Sequence, residues 1–325
     1  MASHDESTRR FLAAQDNVLR HYGVSAASRY VSLAKPPMRA HVLEAGTGTP
    51  ILILHGGDGE AMNWAPLIAE LQHRVHVFAV DRPGFGLSDA FDYRGVALRP
   101  HASDFVTSVL DALGLQSATL VGGSMGGFFC LATALDHPER VNRLVLVGMV
   151  VGVSRAASLP LRILCGVPGA AKLLLKRTTT VEGQRSQYRH EFHIDPASVP
   201  DLYFRARAEG VARPGAAATF AQLLRRVGGL QGIRPEGYLG DELGKISCPS
   251  LFIWGDKDDL APIADGRGVS ARMPDSSFVT LEGIGHFPFL EAPVETYRLI
   301  VEFLGRADGE GALAAPAPVT HSGAA

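Results

Sequence analysis

The sequence predicts an α/β fold, a mostly parallel sheet with helices packed on both faces. Three observations predict it. From residue 40 onward, short runs rich in β-branched residues alternate with helix-length segments. The runs are almost continuously apolar, as strands buried on both faces must be. The chain can also bury such a sheet: of 325 residues, 46% are hydrophobic and 20% charged, which excludes wholesale disorder.

Taken in order, residues 5–22 read as an amphipathic helix with Phe11, Leu12, Val18 and Leu19 on one face, within an N-terminal helical extension over 1–39. The strand-like runs are Ile51–Leu54, Val75–Val80, Ala118–Val121, Leu144–Val147, Leu251–Trp254 and Phe278–Leu281. Helix-length segments lie between most of them: Met62–Leu71, Ala102–Leu113, Met125–Leu135 and Ile263–Met273. The alternation breaks between about Val151 and Lys245. There Leu159–Leu164, Lys172–Leu175 and Ala216–Leu224 read as short helices, and no strand is expected. The core therefore spans 40–150 and 246–304, with a helical insert at 151–245. Residues 305–325, mostly Ala, Gly and Pro, are expected to be a disordered tail.

Charge narrows the partners. The net charge is −2, which leaves no basic excess for a nucleic-acid duplex. Residues 151–250 hold 14 Lys/Arg against 8 Asp/Glu. That local surplus either steers an anionic substrate or acidic carrier or simply solvates helix faces. Cys130, Cys165 and Cys248 are odd in number and far apart, so they read as reduced thiols. No signal-like apolar stretch follows the charged N-terminus. A cytoplasmic location is expected. Ala118–Leu135 is uncharged and near spanning length, but four glycines surround Ser124. It reads as strand, tight turn and helix, not as a membrane span.

Those glycines carry the chemistry. Gly122-Gly123-Ser124-Met125-Gly126 matches G-x-S-x-G. The match is weak by composition, but a strand-like run precedes it and a helix-like run follows. A serine at such a sharp turn needs small neighbours two places either side. It also sits at a helix N-terminus, where developing negative charge is favoured. A serine hydroxyl needs a base, and the base an orienting group. His286 and Asp258 both follow strand-like runs, placing them at strand carboxyl ends, where open α/β sheets keep their sites. The order Ser124, Asp258, His286 is nucleophile, acid, base. Asp256 reads as a turn former and Asp259 as a loop or cap residue. His55-Gly56-Gly57 directly follows the strand Ile51–Leu54. The main-chain N–H groups of Gly57 and Met125 are the expected oxyanion donors, His55 anchors the loop, and Asp58 is left either facing the pocket or not. His190-Glu191-Phe192-His193 is one residue short of the H-E-x-x-H zinc spacing. No metal or organic cofactor is implied.

With these blocks in order, the chain resembles the α/β-hydrolase superfamily over about residues 40–150 and 246–304. The resemblance rests on His55-Gly56-Gly57, Asp81-Arg82-Pro83-Gly84-Phe85-Gly86-Leu87-Ser88, Ser124-Met125-Gly126-Gly127, Trp254-Gly255-Asp256-Lys257-Asp258, and Gly285-His286 with Glu291 and Pro293. It implies an eight-stranded-type sheet, a helical lid at 151–245, and a structural turn without catalytic role at Asp81–Ser88. Dehalogenases and epoxide hydrolases of this fold carry Asp at the elbow, whereas this chain has Ser124. The resemblance implies a serine hydrolase of a small or medium acyl substrate, with carboxylic ester (or lactone or thioester) cleavage first. Alternatives are carbon–carbon hydrolysis of a vinylogous keto acid and a cofactor-free haloperoxidase or perhydrolase. The carbon–carbon hydrolases usually carry a richer Gly-Pro loop where this chain has Asp58-Gly59-Glu60. A non-catalytic ligand receptor is the reading from another class, because fold alone does not fix function.

Overall fold

The computed structural model describes residues 5–306. The tail expected at 305–325 lies almost wholly outside them. In chain order the elements are α1 (Glu6–His21), β1 (Ala26–Leu33), β2 (Met38–Ala45), β3 (Pro50–Leu54), α2 (Ala65–Leu71), β4 (His76–Val80), α3 (Leu98–Ala112), β5 (Ala118–Ser124), α4 (Met125–Asp136) and β6 (Val141–Val150). An insert follows: α5 (Leu159–Gly166), α6 (Ala170–Arg177), α7 (Val181–Glu191), α8 (Asp201–Val211), α9 (Ala216–Val227) and a hairpin of β7 (Gly228–Gly229) with β8 (Gly232–Ile233). The chain then returns through β9 (Ser250–Gly255), α10 (Ile263–Ser270), β10 (Ser276–Leu281), α11 (Pro288–Glu291) and α12 (Pro293–Arg306).

Eight strands form one sheet in the order β1-β2-β4-β3-β5-β6-β9-β10. Pairing is antiparallel at β1/β2 and β2/β4 and parallel elsewhere. Alternate residues of a strand point to opposite faces. Leu52 and Leu54 of β3 and Phe252 and Trp254 of β9 therefore join one apolar core with α3 and α4. Ile51, Ile53, Leu251 and Ile253 join a second core with α1, α2 and α12. Both faces are dry, which explains the continuous apolar runs.

The structure corrects the sequence reading in several places, one of which is β2, a strand that no expected run announced. β1 lies inside the stretch assigned to the helical extension. Its residues from Ala27 to Tyr30 are exposed, so the strand lacks an apolar signature and is defined by its pairing with β2. Within the insert, α7 and α8 were not expected. The buried face of α7 consists of Gln184, Gln187 and Tyr188, which leaves no apolar stripe to read. The insert also contains the short β7–β8 hairpin where no strand was expected.

The strand order brings the carboxyl ends of β3, β5, β6, β9 and β10 along one edge. At β5 the chain turns into α4 through Ser124, which has φ 51° and ψ −119°. This positive-φ conformation lies outside the regions open to a residue with a Cβ and is strained. Close packing holds it. A Cβ on Gly126 would overlap the carbonyl oxygens of Leu54 and His55, and one on Gly122 would lie 2.7 Å from Cys130 Sγ. Gly126→Ala should therefore lower stability by about 1–3 kcal/mol, the usual cost of overpacking. A urea midpoint equal to that of the unsubstituted protein would refute this account of the elbow.

Candidate active site

Each site residue stands at the end of a strand. Ser124 closes β5 and its side chain is partly accessible. Asp258 follows β9 and His286 follows β10, and both are buried. His286 Nδ1 lies 2.8 Å from Asp258 Oδ2. The same oxygen accepts the Met149 N–H at 2.6 Å, and Asp258 Oδ1 accepts the Leu260 N–H at 3.3 Å. The carboxylate is thus fixed by backbone donors from β6 and its own loop. With the Nδ1 proton directed at Asp258, a neutral imidazole keeps its lone pair on Nε2. His286 is fixed from a second side by Glu291, whose carboxylate accepts the N–H groups of Gly285 (2.9 Å) and Phe287 (3.1 Å) on either side of it. Phe192 stacks on the imidazole with ring centroids 5.5 Å apart, and the His286 N–H donates to the Phe192 carbonyl at 3.2 Å.

The loop after β3 is held from behind by Arg82. Its Nε donates to the His55 carbonyl (3.0 Å), and one Nη donates to the carbonyls of Gly56 and Gly57 (2.7 Å each). In a trans peptide, C=O and N–H point in opposite directions. Anchoring the Gly56 carbonyl on Arg82 therefore turns the Gly57 N–H the other way. Gly57, Met125, Ser124 and His286 all line one cavity. Met125 opens α4, so its N–H has no helical carbonyl one turn back. His55 Nε2 accepts the Arg82 N–H at 2.9 Å, and Nδ1 meets the Gly56 carbonyl at 2.8 Å. Burial and the neighbouring Arg82 push His55 down to about 3, so it is a neutral structural strut. Burial also lowers Arg82, to about 10, which leaves it cationic at neutral pH. The sequence reading gave the Asp81–Ser88 turn a purely structural part, and nothing in the sequence connects Arg82 to His55–Gly57. Asp81 holds the turn itself, accepting from Ala61 N, Leu87 N and His41 Nδ1.

The cavity is about 740 Å³. Leu161, Leu164, Leu174, Phe220, Leu223 and Val227 of the insert form much of its apolar wall. Polar side chains line it too, among them Asn63, Gln187, His190 and Glu191, and Arg207 from α8 is the one lysine or arginine among the described lining residues. This buried guanidinium pairs with Asp58 Oδ2 (3.0 Å) and Glu60 Oε2 (2.7 Å). Burial pushes Glu60 up to about 7 against the pull of Arg207. Burial disfavours the Arg207 charge as well, but Glu60 and Asp58 outweigh it and hold the group well above the ordinary arginine value. Asp58 therefore does line the cavity, a point the sequence left open. Asp256 accepts the Gly283 N–H at 2.7 Å, a turn role as expected. Asp259 instead reaches across to the insert, with Oδ2 3.1 Å from His193 Nε2. The residues the sequence did not single out are Arg82, Met149, Phe192 and Arg207. All act across long sequence separations; Arg82 stands in the Asp81–Ser88 block and Phe192 in the His190–His193 run, but neither pattern names the partner the side chain meets.

Comparisons with known proteins place the fold in a family. Residues 51–299 match the model of the alpha/beta hydrolase family. A 2-hydroxy-6-oxononadienedioate/2-hydroxy-6-oxononatrienedioate hydrolase of Burkholderia vietnamiensis is 31% identical over 299 residues, covering 87% of this chain and 97% of the relative. A 2-hydroxy-6-oxo-6-phenylhexa-2,4-dienoate hydrolase of Burkholderia cepacia is 28% identical, with coverages of 86% and 97%. Among solved structures, the carboxylesterase CesB of Bacillus subtilis superposes with a TM-score of 0.71 at 23% identity, over 92% of this chain and 99% of that one. The match spans the sheet from β3 to α12 and contains every strand end described above, so this chain belongs to the alpha/beta hydrolase family.

Proposed function

We propose that this chain is a serine hydrolase that breaks a bond to a carbonyl carbon, and that its substrate is a keto acid of the 2-hydroxy-6-oxo-dienoate type, cleaved between two carbons. The observation that carries the substrate class is the set of curated relatives, which bear such names and are matched over nearly their whole length. A cation on the cavity wall is consistent with an acid substrate: Arg207 is the one lysine or arginine among the described residues lining it. In this reading Ser124 attacks the ketone carbon as His286 Nε2 takes its proton, and Asp258 stabilises the imidazolium. The N–H groups of Gly57 and Met125 receive the oxyanion. Collapse of the tetrahedral centre breaks the carbon–carbon bond. That cleavage requires the dienol to ketonise first, the 2-hydroxyl losing its proton and C5 gaining one, so that C5 is sp3 and departs as a conjugated dienolate, which then takes a proton on oxygen. Water activated by His286 then frees the acyl group from Ser124.

Ester hydrolysis, the first reading from sequence, stays as the second for a specific reason. The charge of Arg207 is already answered by Asp58 and Glu60, so a substrate carboxylate meets a compensated cation. The same nucleophile and oxyanion donors serve an ester, whose alkoxide takes its proton from His286.

Three measurements bear on this reading. Ser124→Ala should abolish turnover of dienoic keto acids and of p-nitrophenyl esters alike, and kcat/KM across a panel of both identifies the natural bond. Turnover that survives the substitution would remove Ser124 from the mechanism. Arg82→Lys loses the multiple anchoring of the loop. It should cut kcat about 100-fold, the scale of one lost oxyanion donor, with KM and the circular-dichroism spectrum little changed; an unchanged kcat would detach Arg82 from the oxyanion loop. Asp58→Asn releases part of the Arg207 charge. It should lower KM for an acid substrate about tenfold, or ~1.4 kcal/mol, and leave a neutral ester unaffected. A parallel shift for both substrates would show that Asp58 does not act through charge.

A further inference from the structure

We propose that the outward face of α5, α6 and the β7–β8 turn docks on an anionic lipid surface. Seven large apolar side chains are exposed among the described residues, and five of them lie here: Leu159 (66%), Leu173 (63%), Leu230 (55%), Ile163 (41%) and Val167 (39%). Leu159, Ile163 and Val167 recur every four residues, which puts them on one stripe of α5 and its C-terminal cap, with the partly exposed Ile163 also bordering the cavity. Leu230 lies against the same helix. A Cβ on Gly166 would come within 2.6 Å of Leu230 Cγ, and Arg162 Nε donates to the Leu230 carbonyl at 2.6 Å. Helix α6 follows α5 after a three-residue link.

Charge identifies the occupant. From Arg155 to Val181 the chain holds five cations (Arg155, Arg162, Lys172, Lys176 and Arg177) and no Asp or Glu. Arg155 pairs with Asp241. Lys172, Lys176 and Arg177 are exposed and have no carboxylate within ion-pair distance among the described residues. A second copy of this chain meeting the face through a two-fold axis would set the same cations against themselves. A layer of anionic headgroups over acyl chains offers both the apolar depth and the opposite charge that this face requires.

The face is also continuous with the cavity. Helix α5 directs Leu161 and Leu164 to the cavity wall while Leu159 faces out, and α6 does the same with Leu174 and Leu173. Docking would therefore set the wall of the acyl cavity against a hydrocarbon layer. This proposal does not depend on which bond Ser124 breaks.

Co-sedimentation with vesicles tests it. The protein should bind phosphatidylglycerol vesicles at least about tenfold more tightly than phosphatidylcholine vesicles, and raised salt should release it. Leu159→Ser/Leu173→Ser and Lys172→Gln/Lys176→Gln should each weaken binding about tenfold, with thermal midpoint and turnover of a water-soluble substrate retained. None of these four side chains lines the cavity. Equal binding to both lipids, or none to either, overturns the proposal. So does a concentration-dependent dimer in sedimentation velocity that Leu159→Ser/Leu173→Ser abolishes, because the face would then belong to a second copy.

Discussion

The site depends on one buried guanidinium. Arg82 gathers three consecutive carbonyls, those of His55, Gly56 and Gly57, and so fixes the direction of the peptides between them. Its own carboxylate neighbour in sequence, Asp81, is committed elsewhere, to His41 and to the backbone of Ala61 and Leu87. Carbonyl dipoles and the faces of Phe85 and Phe129 thus surround the Arg82 cation. The arrangement suits a loop that must present N–H groups on its opposite side. Buried polar groups must be satisfied, and here satisfying the carbonyls on one side sets the donors on the other.

The same edge of the sheet supplies everything else. Asp258 takes a backbone N–H from Met149 on β6 before it meets His286 from the β10 loop. A Cβ on Gly148 would overlap the His286 carbonyl, so the close approach of those two loops needs a glycine at the end of β6. Glu291 then holds the peptides on either side of His286. Three strands and a helix cap therefore determine one imidazole, which is how a sheet built for stability also gives precision at its rim.

The insert contributes differently. Its helices place apolar side chains over the strand ends and bring a single arginine into the cavity, already matched by two carboxylates. Removing either carboxylate changes the charge that a substrate meets without touching the groups proposed for the chemistry. The outward side of the same helices is apolar and cationic. Inner and outer faces of the insert therefore serve separate demands on one short stretch of chain.

Much of this was legible along the chain. The parallel strands are apolar on both faces, so their runs stand out. The elbow is legible because a sharp strand-to-helix turn needs small residues two places either side of Ser124, although what crowds Gly126, the carbonyls of Leu54 and His55, belongs to a distant strand end, and the order Ser124, Asp258, His286 follows from which strands end at the rim. β1 was not legible, because its exposed residues depend on pairing with β2 for their conformation. Neither was α7, whose buried side chains are polar. Arg82 behind the His55–Gly57 loop and Arg207 between Asp58 and Glu60 were decided by the tertiary structure alone. A hydrogen bond or ion pair between residues far apart in sequence leaves no periodicity in either segment, and a motif that contains one partner does not name the other. Local crowding and burial are written in neighbouring residues, whereas the direction of a peptide group or the partner of a buried charge exists only once the strands and helices have met.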